Sequence, residues 1–184
     1  MKNSIVLLSM LFLFISCAPE NNNTGQNSDY DVEERLAELG IVLQEPSPPV
    51  ASYVLTVRTG NLVFLSGHGP DRPEGGQVIG KLGGPGGLTV EEGQEAARLT
   101  GIALLNSLKA EVGDLNNVSR IVKVNGMVNA HPSFTQHSQV VNGFSDLMVE
   151  VFGDRGRHAR ASIGMSSLPN NIAVEIDLVV EVEN

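Results

Sequence analysis

Two alternating runs near the C-terminus constrain this chain more than any other stretch. From Ala159 to Met165, read with period two, Ala159, Ala161, Ile163 and Met165 share one face, while Arg160, Ser162 and Gly164 share the other. After a break over Ser166 to Asn171, Ile172, Val174, Ile176, Leu178 and Val180 face one way, against Glu175, Asp177, Val179 and Glu181. A one-residue slip of such a strand would expose its whole apolar set, so pairing the runs as a hairpin requires their apolar faces to coincide. That reading expects Arg160 and Glu175 on the same side of one sheet. The small neighbours of Arg160 would leave room for a ligand, and a guanidinium grips a carboxylate through two parallel hydrogen bonds. An ordinary cross-strand ion pair on a solvated face accounts for the same two charges.

Upstream, a short helix is expected over Asp31 to Leu39, with Val32, Leu36 and Leu39 inward and Gly40 as its stop. Pro46, Pro48 and Pro49 enforce extended backbone. Tyr53 to Val57 alternates as a strand, Thr59-Gly60-Asn61 supplies a turn, and Leu62 to Leu65 reads as a fully buried strand ending at Ser66-Gly67. Gly69 to Gly87 is a glycine- and proline-rich loop. Its Gly75-x4-Gly80-Lys81 resembles a phosphate-binding loop, but Leu82 stands where a magnesium-binding hydroxyl is required. Thr89 and Glu92 form a capping box for a helix to about Val112, whose apolar face carries Ala96, Leu99, Ile102, Ala103 and Leu105. Val118 to Val128 is a strand, with Ile121, Val122 and Val124 as its buried part. Val140, Val141, Phe144, Leu147, Met148 and Val151 then repeat at helical spacing up to Phe152 and Gly153. The order is strand, strand, helix, strand, helix, strand, strand after the short helix. It predicts an α+β sandwich, one mixed sheet with two helices on one face.

Ala-Arg-x-Ser, Leu168-Pro169 and Val174-Glu175-Ile176-Asp177, together with Tyr53 ahead of Gly60-Asn61-Leu62-Val63-Phe64-Leu65-Ser66-Gly67, resemble the signature of the Rid/YjgF family, the reactive-intermediate enamine/imine deaminases. The resemblance covers nearly everything after residue 29. It implies a chorismate-mutase-like fold assembled as a homotrimer with pockets between subunits. It implies hydrolysis of small 2-imino or 2-enamino acids to 2-keto acids and ammonia, with no cofactor. Arg160 would hold the substrate carboxylate and Glu175 would orient or deprotonate water. Tyr53, Gly67 and Ser162 would line the pocket. His68 stands where many relatives carry glutamine and is a candidate proton shuttle. A non-catalytic small-carboxylate binding or sensing module on the same fold is the alternative. A ribonuclease role is disfavoured by a formal net charge of −9 (12 Lys+Arg against 21 Asp+Glu), which repels phosphate backbones. Nucleic acid is therefore not an expected partner.

Of the four histidines, His131 and His137 are expected in solvent, while His68 and His158 could meet across the sheet near Arg160. No metal is expected, because third and fourth ligands are missing. At the N-terminus, Lys2 and an apolar run from Ile5 to Ile15 are too short to span a bilayer permanently and read as a signal peptide, residues 1–16. Cys17, the only cysteine, resembles the lipidated residue of a bacterial lipoprotein. Residues 17–29 then form a polar spacer and residues 30–184 the RidA-like domain, an extracytoplasmic domain anchored to a membrane by lipid alone. Labelled palmitate entering wild type but not Cys17→Ala is the matching test.

Overall fold

The computed structural model describes residues Tyr30–Glu183; the expected signal peptide (1–16), Cys17 and the spacer (17–29) lie outside the described residues. The elements are α1 (Val32–Glu38), β1 (Thr56–Thr59), β2 (Leu62–His68), α2 (Val90–Val112), β3 (Val118–Asn129), α3 (His137–Phe152), β4 (Ala159–Met165) and β5 (Val174–Val182). The strands form one mixed five-stranded sheet in the order β1-β2-β5-β3-β4. All neighbours are antiparallel except β3 and β4, which run parallel and are joined through α3 as a crossover.

Local chemistry sets the element ends. Asp31 caps α1 by accepting hydrogen bonds from the amides of Glu33 and Glu34. The capping box at α2 is present in both directions: the Glu92 amide donates to Thr89 Oγ1 and the Thr89 amide to Glu92 Oε2. Gly60, at φ +58, supplies the two-residue turn that pairs Thr59 with Leu62. The core lies between one face of the sheet and α2 with α3. Val63, Leu65, Val124, Val174, Ile176, Leu178 and Val180 meet Leu104, Leu105, Leu108, Val140, Val141, Phe144 and Leu147, all buried. Glycine lets the helices come close: a Cβ on Gly143 of α3 would lie 2.0 Å from the Gln94 carbonyl oxygen of α2.

Several sequence expectations are corrected. β4 and β5 do not form a hairpin, because β3 lies between them. Arg160 registers with Val124, and Val124 with Leu178, so Arg160 sits on the helix-packed face. Glu175 registers with Met127, three residues along β3 from Val124, and so sits on the opposite, open face. Within one chain the two residues are on different sides of the sheet. β2 is not fully buried either: Val63 and Leu65 are, but Phe64 between them is 43 % exposed on the open face. A bulge between Ile121 and Lys123 turns Val122 outward. Tyr53 precedes β1 rather than opening it.

Candidate functional site

The polar residues singled out by sequence fall into two groups. The first borders a groove of about 630 Å³ at the end of β2, where Tyr53, Gly67, His68, Ser107, Ile172 and Glu175 converge. Glu175 projects from β5 on the open face and lies across Gly67. A Cβ at position 67 would be 2.3 Å from Glu175 Oε1, so this carboxylate position requires glycine. Burial raises the pKa of the Glu175 carboxyl, and the negative charge of Asp177 adds to the effect. A carboxylate treated this way keeps affinity for a proton closer to neutrality, as a general base needs.

His68 turns to the other side of the strand. Its Nδ1 is 2.7 Å from the Ser66 carbonyl oxygen and its Nε2 2.7 Å from Ser107 Oγ on α2. A carbonyl only accepts, so Nδ1 carries the proton and Ser107 donates to Nε2. Burial lowers the His68 pKa, against the opposing effects of the Ser66 carbonyl and Asp71. Both ring nitrogens are committed inside the protein, and a shuttle role requires one of these bonds to break. Nor does His68 meet His158: β5 and β3 lie between β2 and β4, some three strand spacings or about 14 Å.

The second group surrounds Arg160 on β4, at the sheet edge. Its Nη1 donates to Asn142 Oδ1 (3.0 Å) and Ser145 Oγ (2.8 Å), and its Nη2 to the Ser138 carbonyl oxygen (3.3 Å), all on α3. Each acceptor is neutral, and among the described residues no carboxylate pairs with this guanidinium. Three of its five donors are used by α3; Nε–H and one Nη2–H remain, enough for a two-pronged grip on an anion. Ser162, next along the same face, has a buried Oγ with no hydrogen-bond partner among the described residues. His137 is not simply solvated: its ring packs edge-on to Phe134 at 5.4 Å between centroids and lies over Gly164 of β4. Among the described residues no three His, Cys, Asp or Glu side chains are grouped to hold a metal ion. Lys81 of the glycine-rich loop donates to Asn129 Oδ1 and to the Ser166 carbonyl, not into a phosphate cradle.

Sequence reasoning missed Ser107, Ser138, Asn142 and Ser145. Ser138, Asn142 and Ser145 recur at i, i+4 and i+7 on α3, a polar stripe beside the apolar one. Ser107 interrupts the buried face of α2, where a hydroxyl signals a partner across the interface.

A Trypanosoma cruzi protein called TCP17 is 44% identical over 154 residues, spanning 83% of this chain and 95% of its own length. The crystal structure of Atu1372 from Agrobacterium tumefaciens, a protein of unknown function, superposes with a TM-score of 0.76 at 40% identity, covering 83% of this chain and 92% of that one. A Shewanella oneidensis structure described as an endoribonuclease candidate matches with a TM-score of 0.78 at 30% identity, over 83% of this chain and 100% of that chain. Residues 33–182 match the family model described as YjgF/chorismate mutase-like, with endoribonuclease as its candidate activity. With that match spanning the whole sheet and both long helices, the chain belongs to the YjgF/chorismate mutase-like family.

Proposed function

We propose that this chain hydrolyses small 2-imino and 2-enamino acids to 2-keto acids and ammonia, in sites each assembled from two copies of the chain. One copy contributes the groove with Tyr53, Gly67 and Glu175, and its neighbour presents Arg160 from the edge strand β4, with Ser162 beside it. The observation that carries this reading is the Arg160 guanidinium, oriented by three neutral acceptors and left with a free pair of donors. Its separation from Glu175 by the sheet requires a second copy to complete the site. The open face, where Val57 is 55 % exposed, Phe64 43 % and Ile163 46 %, offers apolar area for that contact. Three copies around one axis close such head-to-tail contacts without leaving any unpaired.

In the reaction, Arg160 binds the substrate carboxylate and fixes the imine carbon. An enamine first takes a solvent proton on its β-carbon and becomes the iminium. Glu175 then takes a proton from water while the water oxygen attacks the imine carbon, giving a carbinolamine. Glu175 passes that proton to nitrogen, and the carbon–nitrogen bond breaks as the new hydroxyl gives its proton back to solvent, so that ammonia and the keto acid leave. A positioned general base contributes about 10²- to 10⁴-fold. RNA cleavage, the activity named for the Shewanella relative, draws no support from a net charge of −9.

The test generates 2-aminoacrylate in situ and follows pyruvate and ammonia release. Wild type accelerates release, whereas Arg160→Ala and Glu175→Gln do not. No acceleration by wild type, with Arg160-dependent pyruvate binding retained, would replace the enzyme by a small-carboxylate binding module.

A further inference from the structure

Arg160 is anchored by a hydroxyl that another residue aims. His158, directly ahead of β4, has Nδ1 2.6 Å from the Gly156 carbonyl oxygen, and that acceptor fixes the proton on Nδ1. Nε2 then offers a lone pair, and Ser145 Oγ lies 3.0 Å from it. Ser145 has a single hydrogen, which goes to Nε2. Its remaining lone pairs are what Arg160 Nη1 meets at 2.8 Å. Without His158 the hydroxyl could turn its hydrogen toward the guanidinium, a repulsive arrangement of two donors. The His158 ring is itself seated edge-on against Phe144, with centroids 5.9 Å apart, in the buried core of α3. Burial keeps its pKa below the ordinary histidine value, with the Gly156 carbonyl opposing and the positive charge of Arg160 reinforcing.

We propose that Ser145 and His158 are positioning residues for carboxylate capture: the imidazole sets the Ser145 hydroxyl so that it accepts from Arg160, and thereby fixes the guanidinium for its ligand. The chain Arg160, Ser145, His158, Gly156 carbonyl runs donor to acceptor in one direction throughout. Neither residue touches the ligand; each acts through the one before it. The inference rests on the reading of Arg160 as the carboxylate anchor.

The experiment measures Kd for pyruvate by titration calorimetry on the full-length protein, with melting temperature recorded for every variant. Ser145→Ala and His158→Phe each raise Kd about ten-fold, the loss expected when one charge-assisted contact is misdirected. Ser145→Thr, which keeps the hydroxyl, stays near wild type. So does His158→Gln, whose amide oxygen can replace the Nε2 acceptor and which also serves if the phenylalanine variant fails to fold. The double variant Ser145→Ala/His158→Phe is no worse than either single one, because histidine acts only through serine. In the deamination assay the same variants change KM and leave kcat within about two-fold. Pyruvate binding that survives Arg160→Ala overturns the carboxylate anchor and this inference with it. Binding lost in Arg160→Ala but unmoved by His158→Phe, or single effects that add in the double variant, overturns this inference alone.

Discussion

Gly67→Ala separates the position of the Glu175 carboxylate from the stability of the fold. The added Cβ would lie 2.3 Å from Glu175 Oε1, 3.0 Å from Cδ and 3.1 Å from Cγ, whereas ordinary contact begins at 3.4 Å. The carboxylate oxygen must therefore retreat by about 3.4 − 2.3 = 1.1 Å. What retreats is the free end of a flexible side chain, so no backbone has to shift. Removing glycine from the unfolded chain contributes roughly 0.4–1 kcal/mol in favour of the variant. The net effect on stability is close to zero. Catalysis is far less tolerant, since a displacement of about 1 Å at a reacting group can cost about 10²-fold. The assay pairs initial rates of pyruvate release from 2-aminoacrylate with thermal unfolding followed by circular dichroism. The expected outcome is a rate lowered about 10²-fold with a melting temperature within a few degrees of wild type. A wild-type rate in Gly67→Ala would refute the reasoning, since it would mean that the chemistry does not need the carboxylate where the structure puts it.

Gly143→Ala should show the reverse pattern. Its Cβ would sit 2.0 Å from the backbone oxygen of Gln94, which cannot step aside, so α2 and α3 must separate. Overpacking of this kind costs about 1–3 kcal/mol, or a melting temperature lower by several degrees, and an unchanged value would contradict the close helix contact. Stability should also fall on acidification below about pH 6.5, the unperturbed histidine value. Burial lowers the pKa of His68 and His158, so in that window the unfolded chain binds protons that the folded chain refuses. Glu175 works in the opposite sense: its raised pKa makes the folded chain hold a proton longer, and its contribution is lost as pH rises through the window above the ordinary carboxylate value. Chemical denaturation at pH 7.5 and pH 5.5 checks this; His68→Gln should shrink the difference, and a variant with the full wild-type difference would remove His68 from the explanation.

The helices were legible because their signals are local. Asp31, the Thr89–Glu92 box, and Gly153 mark ends that depend on a few neighbouring residues. The sheet order was not, since the break at Ser166 to Asn171 looks the same whether the chain turns back or crosses over. The face of β4 is more instructive. Alternation alone points its apolar residues toward this chain's own core, yet Ile163 is 46 % exposed and it is Arg160, Ser162 and Gly164 that lie under α3. Small residues allow either face to pack inward, and alternation alone does not say whose core the apolar side joins. Tyr53, Gly67 and Glu175 border one groove, while Arg160 and Ser162 lie apart from it on β4. The acceptors on α3 escaped because two neutral side chains, Asn142 and Ser145, and the backbone carbonyl of Ser138 carry no chemistry until an arginine is laid against them.

The central claim, a site shared between copies, is tested most directly by complementation. Arg160→Ala and Glu175→Gln chains carrying different tags are co-expressed, and assemblies bearing both tags are purified. In any mixed trimer with head-to-tail sites, one site in three pairs an intact Arg160 with an intact Glu175, so about a third of wild-type activity should return although each parent is inactive. Mixed assemblies as inactive as their parents would show that both residues must reside in one chain, contradicting a site divided by the sheet.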